Sequence, residues 1–335
     1  AGFIGSNFIH YWFNKYPMDN IIIIDSLSYA SNLNSIKLLI EKNNIKFFKG
    51  NIKDPNLVFK ILNDFEITYL INFAAESHVD RSINASDIFV ESNILGTHNL
   101  LDCFRKYWIQ NKRPEDWRFL QISTDEVFGS LNPNDDSFTE LSLYKPRSPY
   151  SATKASSDHL VNSWNHTYGI PTLITNCSNN YGPFQFPEKL IPLTITNLLR
   201  SKKIPLYGDG LNIRDWLFVD DHCSAIDSVI NKAEPGQQYC IGGNNEIRNL
   251  DLINQICDLV DEYAPKYNFV LKHKKSTSLI EFVTDRPGHD RRYAINSSKI
   301  NKDLNWQAKY KFNEGLAETV QWYLNNEKWW RSLLK

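Results

Sequence analysis

Four consecutive isoleucines, Ile21 to Ile24, closed by Asp25, constrain this chain more than any other stretch. An unbroken apolar run of that length suits a strand buried on both faces, as in a parallel sheet, rather than one with a solvent side. Parallel neighbours need a crossover, usually a helix, and helical stretches are read between most of the strands. Residues 6 to 16 read as a helix ahead of the isoleucines. Ile45 to Lys49 reads as the next strand, a helix follows from about Asn56 to Asp64, and Tyr69 to Ala75 reads as a further strand and its loop. A long helical stretch over 87 to 110 precedes the strand Phe119 to Ser123. A helix from Tyr150 to Tyr168 then precedes Thr172 to Asn176. Strands alternating with helices in this way predict an α/β fold with a doubly wound parallel sheet.

At 335 residues the chain exceeds the size at which one core usually stops growing, so a smaller companion domain is expected. The regular alternation fails over 182 to 210, rich in proline and glycine, and over 268 to 292. The reading therefore assigns residues 1–176 to the first domain and 177–335 mainly to a smaller α/β domain that binds substrate, with later segments returning to the sheet. A net charge of -1 offers no bulk attraction for nucleic acid or an anionic membrane. No apolar run approaches the ~18 residues of a membrane span. The five cysteines are dispersed, odd in number and without metal-ligand spacing, and the eight histidines form no cluster, so a reducing, cytoplasmic setting and no metal are expected.

Gly2 and Gly5 match the last two glycines of a G-x-x-G-x-x-G turn, whose first member and preceding strand would lie upstream of residue 1; the chain is expected to be a fragment. Such glycines let backbone amides at a helix N-terminus approach a pyrophosphate. Asp25, about 20 residues on at a strand end, is placed to bind ribose hydroxyls and would repel a 2'-phosphate, which favours NAD over NADP in a Rossmann-type fold.

Chemistry concentrates in two places. Tyr150 and Lys154 form a Tyr-x-x-x-Lys pair one helical turn apart, so the cation is expected to favour the phenolate and make Tyr150 a base. Ahead of it stands Ser123-Thr124-Asp125-Glu126-Val127-Phe128-Gly129, with two adjacent carboxyl groups that a simple alcohol oxidation does not require. Together they suggest oxidation coupled to elimination, one carboxyl as acid and its neighbour as base.

These residues, with Ala74 to Ser82, Asn176 to Pro183, Phe186 to Pro192, Ile213 to Leu217 and Asp285 to Tyr293, resemble the extended short-chain dehydrogenase/reductase family, and within it the members that dehydrate a nucleotide-linked glucose. The resemblance runs nearly end to end. It implies conversion of dTDP-glucose to dTDP-4-keto-6-deoxyglucose with bound NAD, in a homodimer joined through the Tyr150 helix. Tyr150 would take the C4 hydroxyl proton, Lys154 would hold the phenolate and the nicotinamide ribose, and Thr124 would bond the C4 oxygen. Glu126 would take the C5 proton while Asp125 protonates the departing C6 hydroxyl. Carried over residue by residue, Gly2, Phe3, Ile4, Gly5, Asp25, Ser26, Leu27, Ser28, Asn51, Ile52, Phe73, Ala74, Ala75, Ser92 and Asn180 would contact the cofactor. Ser77, Asn179, Lys189, Leu190, Pro205, Leu206, Tyr207, Arg214, Asn249, Asp285, Arg286, Pro287, Gly288 and His289 would contact the substrate, with Arg214 the sharpest diphosphate candidate because its donors fork onto two oxygens. Departures are Asn51 for the usual Asp, Ser28 and Ser31 for Thr and Gly, and Phe128 for Tyr. Relatives acting on a UDP-sugar, 4-epimerases, and a non-catalytic NAD-binding protein are the competing readings. His159 is expected to pack or to meet a partner subunit, and Trp322, Trp329 and Trp330 to anchor a terminal amphipathic helix.

Overall fold

A computed structural model describes residues 1–42 and 44–334. Helix α1, Phe3–Lys15, leads into β1, Ile21–Asp25, which pairs in parallel with β2, Ile45–Lys49. Helix α2, Pro55–Asp64, starts where its sequence says it should: Asp54 caps the amides of Asn56 and Leu57 at 3.0 and 3.1 Å, and Pro55 occupies the first turn. Strand β3, Tyr69–Asn72, joins β4, Arg118–Thr124, β5, Thr172–Cys177, and later β9, Gln238–Ile241, in a four-stranded parallel sheet of order β3-β4-β5-β9. Strand β9 thus returns to the main sheet after a long excursion.

The central strands alternate their buried side chains between two layers. Phe119 and Ile174 face α2, α3 (Gly96–Gln110) and α4 (Pro149–Tyr168), joining Val58, Leu101, Phe104 and Val161. Leu120, Ile122 and Leu173 face the opposite layer, where Phe8 and Trp12 of α1 meet Ile226, Val229 and Ile230. Both faces of this sheet are therefore covered, whereas the isoleucine strand β1 stands outside it, paired with β2 alone, and of its four isoleucines only Ile23 is buried, so burial on both faces does not extend to that run.

The remaining chain builds a second, smaller assembly. Strand β6, Asn179–Tyr181, pairs in parallel with β8, Ile213–Phe218, which is antiparallel to β10, Glu246–Arg248. Strand β7, Ile204–Tyr207, pairs in parallel with β11, Ile280–Val283. Its core is closed by α5 (Leu190–Leu199), α7 (Asn249–Tyr263) and α8 (Phe312–Asn325), while α6 (Val219–Lys232) packs back on the parallel sheet. Trp330 is fully buried, and Trp322 and Trp329 stack edge-on at 5.0 Å against this core.

Two sequence expectations change. The helical stretch over 87 to 110 is not one uniform helix: Val90–Leu95 is a π-helical turn before α3. The segment 268–292, read as irregular, contains β11, whose four residues carry too little periodicity to stand out. No described helix is long and apolar enough to cross a membrane, and all five cysteines are free and buried.

Candidate active site

Helix α4 is fixed at both ends. Ser148 accepts from the Ser151 amide at 3.1 Å while Ser151 Oγ accepts from the Ser148 amide at 3.0 Å, a reciprocal capping box, and Gly169 closes the helix in the left-handed region at φ 70°. This aligns Tyr150 and Lys154 along the face turned to the end of β4, both nearly inaccessible. Lys154 Nζ donates to the Ile122 carbonyl at 2.7 Å. Burial favours the neutral lysine and pushes its pKa down.

For Tyr150 the expectation of a lowered pKa is corrected. Burial pushes its phenol well above the usual value, the neighbouring Glu126 charge adds to that, and the Thr124 hydroxyl opposes it.

Where β4 ends, Asp125–Phe128 forms a single tight 3-10 turn, so the two adjacent acids meet different surroundings. Asp125 is 2% exposed; its Oδ1 accepts from Thr124 Oγ at 3.3 Å and its Oδ2 is buried without a partner. Burial first, then the Glu126 and Asp215 charges, raise its carboxyl well above the ordinary range, which favours a neutral acid that can donate. Burial also raises Glu126, yet Arg286, Lys189 and Arg214 face it and oppose that rise. Of the two, Glu126 is the better placed to ionise.

Around this centre the other predicted residues fall into three groups. At the cofactor end, Gly2 precedes α1 with no side-chain cap, leaving first-turn amides for an anion, and a Cβ built on Gly2 would meet nothing within 4 Å. Asp25 gathers the adjoining loop, taking the Leu27 amide at 2.7 Å and Ser31 Oγ at 2.9 Å; Ser26 and Ser28 are exposed beside it. The Phe73 ring packs at a tilt against Phe8 at 5.2 Å, the Ala74 amide is held by Asn72 at 3.1 Å, and Ala75 follows it. Ile52 is held by Asn99 through its carbonyl at 2.6 Å, and Asn51 stands exposed before it. Phe3, Ile4 and Gly5 make the first turn of α1, Ser92 lies on the π-turn, and Asn180 sits at the end of the strands near Cys177. This cradle fits a dinucleotide: donors for phosphate at one end, an acid for ribose, a buried lysine and phenol at the other.

At the substrate end, Lys189 donates to the Ser77 carbonyl at 2.9 Å and Asn179 Oδ1 is buried and unpaired, as is Asn249 Oδ1. Arg214 is more deeply set than a simple diphosphate clamp: it donates to the Ile213 and Asp290 carbonyls at 2.7 and 2.9 Å and lies 4.3 Å from the Tyr293 ring centre. The loop of Asp285, Arg286, Pro287, Gly288 and His289 reaches across, with His289 Nδ1 2.6 Å from Asp285 and Arg286 3.5 Å from Asp80. A third group stands apart from the cleft by side chain. Leu206 is 1% exposed in the smaller core, so only its backbone is free to face a ligand; Pro205 pairs with β11 and Leu190 packs on the same core, whereas Tyr207 reaches Asp80 at 3.4 Å.

Comparison with known proteins follows the same pattern. A family model described as GDP-mannose 4,6 dehydratase matches residues 1–319. The dTDP-glucose 4,6-dehydratase of Xanthomonas campestris pv. campestris is 47% identical over 100% of this chain and 94% of its own. This chain belongs to the dTDP-glucose 4,6-dehydratase family. Among solved structures, that of the Bacillus anthracis dTDP-glucose 4,6-dehydratase in complex with NAD is 46% identical, with a TM-score of 0.87, over 99% of this chain and 97% of that one. The Streptomyces venezuelae enzyme, also with NAD bound, gives 39% and 0.90 over the same shares.

In this member of the dehydratase family the structure also brings in a residue the sequence did not single out. Asn93, on the π-turn, binds both backbone groups of Glu76, at 2.9 and 3.0 Å, and donates to Thr153 Oγ at 2.9 Å; its own carbonyl takes Ser157 Oγ at 2.7 Å. It thereby ties the Ala74–Ser77 loop to the catalytic helix. A wider turn is what aims its side chain there. Nothing in linear spacing announces that, because the three segments lie 17 and 60 residues apart.

Proposed function

We propose that this chain dehydrates dTDP-glucose to dTDP-4-keto-6-deoxyglucose. The observation that carries the reading is the unequal acid pair beside Tyr150: one buried carboxyl with an unpaired oxygen, and one faced by three cations. A 4-epimerase or a plain dehydrogenase has no use for it. NAD, when bound along the cradle from Gly2 to Asn180, supplies the acceptor and later donor of the C4 hydride and a positive charge beside the phenol.

Tyr150 takes the C4 hydroxyl proton, with Thr124 bonding that oxygen and Lys154 holding the ribose side of the pocket. Once C4 is a ketone the C5 proton is acidic. Glu126 removes it while Asp125 gives its proton to the C6 hydroxyl, which leaves as water; C6 of the resulting enone then receives the hydride taken from C4 and C5 regains a proton from Glu126, which gives the 4-keto-6-deoxy product with no net NADH. Arg214, Lys189 and Arg286 stand nearest as cations for the diphosphate. In this reading residues 1–176 chiefly hold NAD and 177–335 chiefly hold the nucleotide-sugar. Exposed Ile83, Ile88, Val90 and Leu95, before and along the π-turn, support a homodimer through this helical face, and the buried free thiols support a cytoplasmic setting.

The test is incubation of the purified protein with dTDP-glucose and, separately, UDP-glucose. Loss of water in the product mass with no net NADH is expected from dTDP-glucose. Interconversion of glucose and galactose nucleotides without loss of water would overturn the dehydratase reading.

A further inference from the structure

One turn beyond Lys154 on α4 lies Asp158, which is fully buried and has no part in the steps above. Its Oδ2 receives three hydrogen bonds, from Ser123 Oγ at 2.7 Å, Tyr144 Oη at 2.9 Å and Asn176 Nδ2 at 3.2 Å, while Oδ1 is buried with no partner. The direction of two of these bonds is fixed. Asn176 Nδ2 also donates to the Thr124 carbonyl at 3.1 Å, which can only accept, so Asn176 Oδ1 is an acceptor and takes Gln238 Nε2 at 2.8 Å. Gln238 Nε2 gives its second hydrogen to Tyr144 Oη at 3.0 Å. The Tyr144 proton is then directed at Asp158, and so is the remaining Asn176 hydrogen. Three donors converging on one oxygen favour the ionised carboxylate, against the burial that pushes the Asp158 carboxyl up from its ordinary range.

Lys154 presents the converse problem. It is a buried cation whose one hydrogen-bonded partner among the described residues is the neutral Ile122 carbonyl. A buried charge is costly unless balanced, and residues four apart on a helix face one another. We propose that Asp158 is a positioning residue that acts through Lys154: a carboxylate locked on one oxygen by Ser123, Tyr144 and Asn176, whose other oxygen balances the lysine charge so that the ammonium persists beneath Tyr150. The two do not form a contact ion pair; the carboxylate works across the helix turn. Its acceptor network runs back to the carbonyl of Thr124, so β4, β5 and β9 all fix the same charge.

The groups facing this pair are Tyr144 ahead of the helix, Cys177 on β5, Asp125 beyond Cys177, Glu126 across Tyr150, and His159, whose ring lies 5.2 Å from that of Tyr144. Among them Asp158 is the chief influence holding the lysine's proton on against burial.

The proposal rests on the reading of Lys154 above, so its test does not depend on the substrate. In the NAD-loaded protein carrying 13C at the lysine ε-carbon, the Lys154 signal, assigned by its loss in Lys154→Arg, is followed against pH. Asp158→Asn, which keeps the acceptor oxygen and removes the charge, is expected to lower the Lys154 midpoint by about one unit or more, and NAD content after acid release should stay near that of the parent. Turnover of dTDP-glucose should show its alkaline limb moved down by a like amount, with kcat/KM above that limb about tenfold lower. An unchanged midpoint, with only thermal stability lost, would overturn the idea, as would a limb moved upward. If Asp158→Asn does not fold, Tyr144→Phe decides: removing one donor without a charge should move the midpoint the same way by less, and no movement counts against the proposal. Failure of the dehydratase reading alone would leave the lysine titration shifted and dTDP-glucose untouched.

Discussion

Tyr150 and Asp125 share a pocket, and both carry raised pKa values from the same first cause, burial. Their supports differ. Tyr150 stands on a 20-residue helix with a reciprocal cap, neighbours locked to β4 and β5, and an edge-on contact with Phe89 at 6.4 Å. Asp125 stands on a four-residue turn, with one long hydrogen bond and one oxygen bonded to nothing. The difference teaches where a site spends order. A base that must meet one oxygen of a sugar needs a rigid platform, whereas an acid kept protonated needs the absence of partners that would stabilise its anion.

The largest effect should come from the rigid side. Tyr150→Phe removes the base and nothing else, and bound NADH formed in a single turnover with dTDP-glucose should fall by about 10³-fold. Substantial product from this variant would mean another group takes the C4 proton. Next comes the carboxyl side: Glu126→Gln should leave the first step and lower product release by about 10²-fold, so that NADH absorbance accumulates on the enzyme. If NADH fails to form in that variant, the acid pair serves oxidation and the division between the two regions is drawn wrongly.

Asp125 makes a third, smaller prediction through stability. Its carboxyl keeps its proton to higher pH in the folded chain than in the unfolded one, where it titrates at about 3.9. The folded state therefore binds more protons above that value, and its stability falls as pH rises from there through the raised pKa. Asp125→Asn removes the slope. The variant should melt level with or below the parent at pH 4 and about 2 °C above it at pH 8, while catalysis is lost. A constant difference across that range would show that the carboxyl titrates normally.

How far the sequence revealed all this follows the same division. The parallel sheet was legible because isoleucine runs and helix periods are local signals, and Asp54-Pro55 and Ser148 announce their helices within three residues. The acid pair and Tyr150 with Lys154 were legible as spacing. What spacing could not carry was environment. The phenol's raised pKa depends on burial among segments remote in sequence, and the clamp by Asn93 depends on a π-turn that looks like ordinary helix in one dimension. The core position of Leu206 was hidden for the same reason: a strand of four residues gives no face until β11 pairs with it.

The smallest prediction asks whether the cap or the buried face fixes Tyr150. Ser148→Ala removes one arm of the capping box, since the Ser151 amide loses its acceptor, and takes away the hydroxyl 3.0 Å from Ser151 Oγ, while the backbone amide at 148 still donates to Ser151 Oγ. Loss of such a cap costs about 1 kcal/mol. Yet the helix is also held from inside, by Lys154 on the Ile122 carbonyl, Asn93 on Thr153, and Ser157 on the Asn93 carbonyl, none of which the substitution touches. If those interior bonds position the phenol, the melting temperature should drop by about 2 °C while kcat stays within about twofold. A loss of kcat by tenfold at unchanged KM would place the precision of the rigid side at its first turn, and would make the platform under Tyr150 as locally built as the turn under Asp125.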